Sequence, residues 1–218
     1  MNIKVVTQIL EWNEDCSNNI KEILKRKNVY LINVMGSPGT GKTSLIIELI
    51  KKLKDKYNIA VIEGDIAGQI DAVKIDALGI AVVQLNTKGA CHIEAMSIKN
   101  VIEYFDLDEI DIVFIENIGN LVCPAEFELG EDLKIAILST TEGDDKVEKY
   151  PLLFSKADSL IINKYDMKEY FNFDDKRVEE NTKLINPAID IFRISTRTDE
   201  GVISLVNYID EKLKILNK

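Results

Sequence analysis

The stretch "VYLINVMGSPGTGKTSLIIELIKKLKDKY", residues 29–57, decides the fold. It opens on an apolar run, passes through a glycine-rich turn, and continues with Leu45, Ile46, Leu49, Ile50 and Leu53 at helical spacing. The turn, "GSPGTGKT" from Gly36 to Thr43, matches G-x-x-x-x-G-K-[ST]. Its glycines permit backbone conformations closed to other residues. The amides of Gly39, Thr40, Gly41, Lys42 and Thr43 are expected to line a concave nest at a helix N-terminus, where the helix dipole favours an anion. Lys42 is expected on the β- and γ-phosphates of a nucleotide and the Thr43 hydroxyl on Mg²⁺. Gly36, Ser37, Pro38 and Ser44 complete the loop. The bland alternative is a glycine turn that merely caps a helix; the strand before it and the helix after it argue against that.

The same alternation runs along the chain. "NIAVIEGD" (58–65), "GIAVVQLN" (79–86), "DIVFIEN" (111–117), "LKIAILST" (133–140), "DSLIINK" (158–164) and "AIDIFRIS" (188–195) are rich in Ile, Val and Phe. Continuous apolar runs of this length suit strands buried on both faces. Helical spacing fills 42–56, 69–78, 93–104, 174–185 and 200–216. The expected class is therefore α/β: a P-loop NTPase with a mostly parallel twisted sheet flanked by helices. Residues 4–27 place Val5, Ile9, Ile20, Ile23 and Leu24 among charges and predict one or two amphipathic helices packed on the sheet. The expected organisation is an N-terminal helical extension over 1–28 and a P-loop domain over 29–218.

Composition narrows the partners. In 218 residues, 27 Lys and Arg stand against 37 Asp and Glu, and the net charge of −10 argues against nucleic acid or an anionic membrane. No run reaches the ~18 consecutive apolar residues a membrane helix needs. The first residues lack the basic start and apolar run of a signal peptide. Three cysteines without an even framework point to a reducing compartment, so a cytoplasmic location is expected.

Two acids close apolar runs at the edge where α/β sheets bind ligands: Asp65 in "NIAVIEGD" and Glu116 in "DIVFIEN". Asp65 is expected to hold magnesium through water, and Glu116 to act as a switch or water-orienting acid. "NKYD", Asn163 to Asp166, resembles the N-K-x-D motif with which P-loop GTPases read guanine. Asp166 can accept from both the N1 and exocyclic N2 hydrogens of guanine, and adenine offers neither in that arrangement. Lys164 would lie along the base plane and Asn163 would brace the loop. "ISTRTDEG" (194–201) offers Ser195, Thr196 and Arg197 as carriers of a backbone amide for guanine O6. The expected ligands are GTP or GDP with Mg²⁺.

A second chemistry lies in "NTKGACHIEA" (86–95), which sets Cys91 beside His92, the single histidine of the chain. Cys123 follows in "IENIGNLVCPAEFELG" (115–130). Thiolate and imidazole suit Ni²⁺ and Zn²⁺, and three donors leave a coordination position open. Adjacent Cys and His converge on one ion in a turn, not on a strand, where they face opposite ways. Judged by spacing alone, the commoner outcome is that such thiols are buried and merely pack.

Taken together, "GSPGTGKT", "EGDIAGQIDA", "QLNTKGACHIEA", "FIENIGNLVCPAEFELGE" and "TTEGDDKVEKYP" resemble the hydrogenase nickel-incorporation GTPases, the HypB-type maturation factors, from about residue 29 to the end. The resemblance implies a GTP-dependent homodimer that binds nickel or zinc between subunits and delivers nickel to a [NiFe]-hydrogenase large-subunit precursor with other maturation proteins. It maps the ligands onto Cys91, His92 and Cys123. Under it, GTP would order Asp65 and the Glu116 segment and draw Cys123 toward Cys91 and His92 across a two-fold axis. Turnover is expected to be slow, since no arginine finger is evident.

Some relatives carry an N-terminal Cys-x-x-Cys-Gly-Cys or a histidine tract. Here there is only Cys16, expected to be an incidental thiol. Met96 stands where a second histidine would have strengthened the site, so modest metal affinity is expected. A urease-accessory-like nickel GTPase and a metal-binding scaffold with vestigial GTPase activity are the alternatives. The first is disfavoured by Cys-His-Ile in place of Cys-Pro-His, the second by the intact "GSPGTGKT" and "NKYD".

Overall fold

Every apolar run named above becomes a strand, and the strands alternate with helices. A computed structural model describes residues 2–65, 70–87 and 89–216, with backbone alone at 2–9, Asp65 and Leu216. The order is α1 (Asn2–Lys27), β1 (Tyr30–Gly36), α2 (Lys42–Leu53), β2 (Ile59–Asp65), α3 (Ile70–Asp76), β3 (Ala81–Asn86), α4 (Ala95–Ile102) and β4 (Ile112–Glu116). There follow β5 (Leu133–Ser139), α5 (Lys146–Lys149), α6 (Pro151–Lys156), β6 (Ser159–Asn163), α7 (Asp175–Ile185), β7 (Asp190–Arg193) and α8 (Val202–Leu216). The strands form one seven-stranded sheet in the order β3-β2-β4-β1-β5-β6-β7, and each strand pairs in parallel with its neighbours.

Alternation within β1 shows why the runs had to be apolar throughout. Tyr30, Ile32 and Val34 face α2 and α8, while Leu31 faces α1 and α4 and Met35 faces the layer of α6 and α7. β1, β4 and β6 are buried at every position. β3 and β7 are partly exposed because they are the edges, as Gln84 and Arg193 within their runs hint. α5 and α6 were not expected from the sequence: at 4 and 6 residues they are too short to show a helical period.

The N-terminal segment is one continuous helix. The side chains of Val5 and Ile9 lie outside the described residues. Ile20 and Leu24 are fully buried and share a cluster with Val29, Leu31, Ala60 and Ile62 of the sheet. Burying each is worth about 1.5–3 kcal/mol relative to exposure, enough to hold the second half of α1 on the sheet. Among the described residues, no helix is long and apolar enough to cross a membrane.

Candidate functional site

The chain leaves β1 at Gly36, turns through the phosphate loop and enters α2 at Lys42. Gly41 occupies the N-cap position of α2 with φ 97°, and a Cβ there would lie 2.5 Å from Asn163 Nδ2. Glycine is thus required twice, by backbone conformation and by space. Asn163, at the end of β6, donates from Nδ2 to Thr40 O at 2.8 Å. Lys164 donates from Nζ to Gly39 O at 2.7 Å, and its own carbonyl accepts from Thr140 Oγ1 at 2.7 Å. The loop and "NKYD" are therefore interlocked, although more than a hundred residues separate them.

Lys42 is buried and folds back on the loop, donating to Gly36 O at 3.3 Å and Ser37 O at 3.2 Å. Burial pushes its pKa down, opposed by the carboxylates of Glu116, Glu142 and Asp71. Asp166 lies half-exposed in the 3₁₀ turn Tyr165–Tyr170, and among the described residues its carboxylate has no hydrogen-bond partner. Of the three residues expected near guanine O6, Ser195 gives its amide to Glu200 O at 2.9 Å and Thr196 gives its amide to Asn163 Oδ1 at 3.3 Å. Among the described residues this leaves the Arg197 amide as the one of the three with no internal acceptor.

A cleft of ≈610 Å³ opens over the loop, lined by Lys42, Thr43, Glu63, Asp71, Glu116 and Lys164 among others. The Thr43 hydroxyl donates to Glu116 Oε1 at 2.7 Å and lies 3.3 Å from Asp71 Oδ2. Asp65 ends β2 as expected, but its side chain lies outside the described residues. Asp71 and the buried Glu63 were missed in the sequence. Asp71 sits in the first turn of α3, where an acid ordinarily just complements the helix dipole. A hydroxyl with two carboxylates is a hard oxygen donor set, which fits Mg²⁺.

The second site forms where two loops meet. Thr87 and Ala90 close a turn, so Cys91 and His92 sit in a bend and not on a strand. Cys123 opens the 3₁₀ turn Cys123–Ala125, with Pro124 in its first turn. Cys91 Sγ lies 2.9 Å from Cys123 Sγ and 3.6 Å from His92 Nδ1, and one donor atom from each of the three falls within 4.8 Å of the others. The neighbouring Cys91 sulfur, and then burial, push the Cys123 thiol pKa up. His92 stacks on Phe127 with centroids 3.8 Å apart, and its Nε2 lies 3.8 Å from Glu94 Oε1, beyond hydrogen-bond distance. One chain brings all three donors together: Cys91 and His92 follow β3, Cys123 follows β4, and these parallel strands on either side of β2 end on the same side of the sheet.

One segment joins the two sites. After Glu116 at the end of β4, the Asn117 amide donates to Val34 O and its side chain enters a buried chain, Asn117 Nδ2 to Asn33 Oδ1 and Asn33 Nδ2 to Glu131 Oε1, both 3.1 Å. Gly119 packs on the phosphate loop so closely that a Cβ would sit 2.7 Å from Pro38 Cγ and 2.9 Å from its nitrogen. Asn120 bridges to the Gly36 backbone and reaches Cys91 O from Nδ2 at 3.4 Å. Cys123 follows three residues later.

A family profile described as the CobW/HypB/UreG nucleotide-binding domain matches residues 30–193. The chain belongs to the CobW/HypB/UreG family. It is 40% identical over 212 residues to the probable hydrogenase maturation factor HypB of Methanocaldococcus jannaschii, covering 97% of this chain and 96% of that one. Its structure is similar to that of the hydrogenase maturation factor HypB from Archaeoglobus fulgidus, with TM-score 0.88 at 32% identity, covering 93% of this chain and 99% of that chain. It is equally similar to HypB from Helicobacter pylori in complex with nickel, with TM-score 0.88 at 37% identity and coverage of 93% and 95%. Within the CobW/HypB/UreG family, then, this chain stands with HypB-type members over nearly its whole length.

Proposed function

We propose that this protein is a cytoplasmic GTP-hydrolysing metallochaperone that binds nickel at Cys91, His92 and Cys123 and supplies it during [NiFe]-hydrogenase maturation. One observation carries the proposal: a sulfur–sulfur–imidazole donor set is tied by a short segment, Glu116 to Cys123, to the loop that would cradle GTP. The names of the relatives, and the nickel with which the H. pylori protein is complexed, support the same cargo.

In this scheme the loop amides and Lys42 bind the phosphates, Asp166 selects guanine, and Thr43, Glu116 and Asp71 hold Mg²⁺. Mg²⁺ bound there neutralises charge on the phosphate oxygens. Binding GTP pulls Glu116 from its bond with Thr43, and the change passes through Gly119 and Asn120 to Cys91 and Cys123. Three donors from one chain leave the remaining position to a second subunit or to the client, which is the part a homodimer or a maturation partner would play.

The test is an anaerobic Ni²⁺ titration of reduced protein with GDP and with a non-hydrolysable GTP analogue, followed by thiolate-to-nickel absorption. Nickel affinity should differ between the two states by about 5–150-fold, and nickel should change nucleotide affinity by the same factor. Equal affinities in both states would remove the coupling, and absence of any thiolate band would remove the metal site.

The pH dependence has a definite sign. The neighbouring Cys91 sulfur, and then burial, raise the Cys123 thiol above its ordinary value, which already lies above neutral pH, so an incoming ion must displace its proton. Apparent nickel affinity should rise with pH by about tenfold per unit for each proton released, between about pH 6.5 and 8.5. A flat profile with the thiolate band present would mean the ion does not replace a thiol proton.

A further inference from the structure

On α1 the residues Asn13, Ser17, Ile20 and Leu24 are all buried, and their spacing puts them on one face of the helix. The second half of this seam is apolar and belongs to the core. Its first half is polar, although an apolar residue would fill the same space between helices. A buried amide is held at such a place by the hydrogen bonds it makes. Asn13 makes two, both to backbone: Oδ1 accepts from Ala95 N at 2.8 Å, and Nδ2 donates to Glu128 O at 2.7 Å.

Both partners flank the metal donors. Ala95 N is the first amide of α4, whose N-cap residue Glu94 provides no side-chain cap. Asn13 therefore caps α4 from another helix, three residues after His92. Glu128 directly follows Phe127, whose ring lies 22° from parallel to that of His92 at 3.8 Å. One side chain thus ties the backbone on either side of the His92–Phe127 stack. A metal-binding imidazole is ordinarily oriented by a hydrogen bond from its other nitrogen. Here, among the described residues, the buried Nε2 has no hydrogen bond, so the ring is aimed by the stack and the backbone beneath it.

We propose that Asn13 is a positioning residue of the metal site: it holds His92 against Phe127 with Nδ1 turned toward Cys91 and Cys123. The N-terminal helix thereby decides whether the site binds through three donors or through two thiolates alone. The proposal rests on the reading of Cys91, His92 and Cys123 as the metal site.

The experiment is a Ni²⁺ titration of the reduced full chain as Asn13→Ala, His92→Ala and the double variant, with GTP affinity measured without nickel as the control for folding. Asn13→Ala should weaken nickel binding by about 10–100-fold and give a thiolate-to-nickel spectrum like that of His92→Ala. Its GTP affinity should stay within about twofold of the original. The double variant should bind no more weakly than His92→Ala, because both changes remove the same donor. Asn13→Asp keeps the acceptor for Ala95 N and loses the donor to Glu128 O. It should fall between Asn13→Ala and the original protein, and it provides the comparison if Asn13→Ala folds poorly. Nickel affinity and spectrum unchanged in both Asn13 variants would overturn the proposal, as would losses that add in the double variant. If the original protein shows no thiolate-to-nickel band, the metal site itself falls and this proposal with it. A band there with unchanged Asn13 variants removes the positioning role alone.

Discussion

Lys42→Ala should lower GTP turnover by about 10²–10³-fold while leaving nickel binding by the nucleotide-free protein unchanged. The lysine is almost wholly buried, and among the described residues its ammonium donates to the Gly36 and Ser37 carbonyls alone. An ammonium held there at the cost of its hydration, shown in its lowered pKa, is placed to meet phosphate oxygens when they arrive. Removing it deletes two hydrogen bonds but also a buried charge, and the two effects on stability oppose each other. The melting temperature should therefore stay within a few degrees of the original. Turnover by rapid-quench assay, nickel titration and thermal unfolding check the three parts. Wild-type turnover would mean that Lys42 does not touch the phosphates. Joint loss of turnover, nickel binding and cooperative unfolding would mean that the fold had been damaged.

Asp166→Asn should reduce GTP affinity by about 10²–10³-fold and raise affinity for xanthosine triphosphate, with no change in melting temperature. The Asp166 carboxylate makes no hydrogen bond or ion pair among the described residues, so nothing internal is lost with its charge. Its two oxygens can accept both guanine hydrogens. An asparagine amide instead turns a donor toward a donor on guanine, but matches the carbonyl that xanthine carries at the same position. Competition binding with GTP, ATP and xanthosine triphosphate measures the switch. If GTP affinity does not change, the base is read elsewhere, and the neighbouring backbone around Arg197 becomes the place to look.

Both effects are local to motifs that a reader of the sequence can find. Gly36–Thr43 and Asn163–Asp166 announce themselves by spacing, because a phosphate nest and a guanine clamp each need a fixed set of residue types within a few positions. Asp71 was not legible in that way. It becomes a partner of Thr43 only because the tertiary fold sets the start of α3 beside the phosphate loop, and an acid in the first turn of a helix has a commonplace explanation. Phe127 and Asn120 are likewise ordinary loop residues until the loops that carry them meet Cys91 and His92.

The sequence by itself determined the seven strands, the phosphate loop, the base motif and the identity of the three soft donors, since periodicity and short spacing are properties of neighbouring residues. Only the tertiary structure decided the strand order, in which β4 inserts between β1 and β2 and so lays the Glu116–Cys123 segment against both the phosphate loop and Cys91. It alone showed that a single chain assembles the donor set, and that Asn13 reaches across 82 and 115 residues to Ala95 and Glu128. Contacts of that range follow from which strands pair and which helix covers which face. No local period in the chain records those choices.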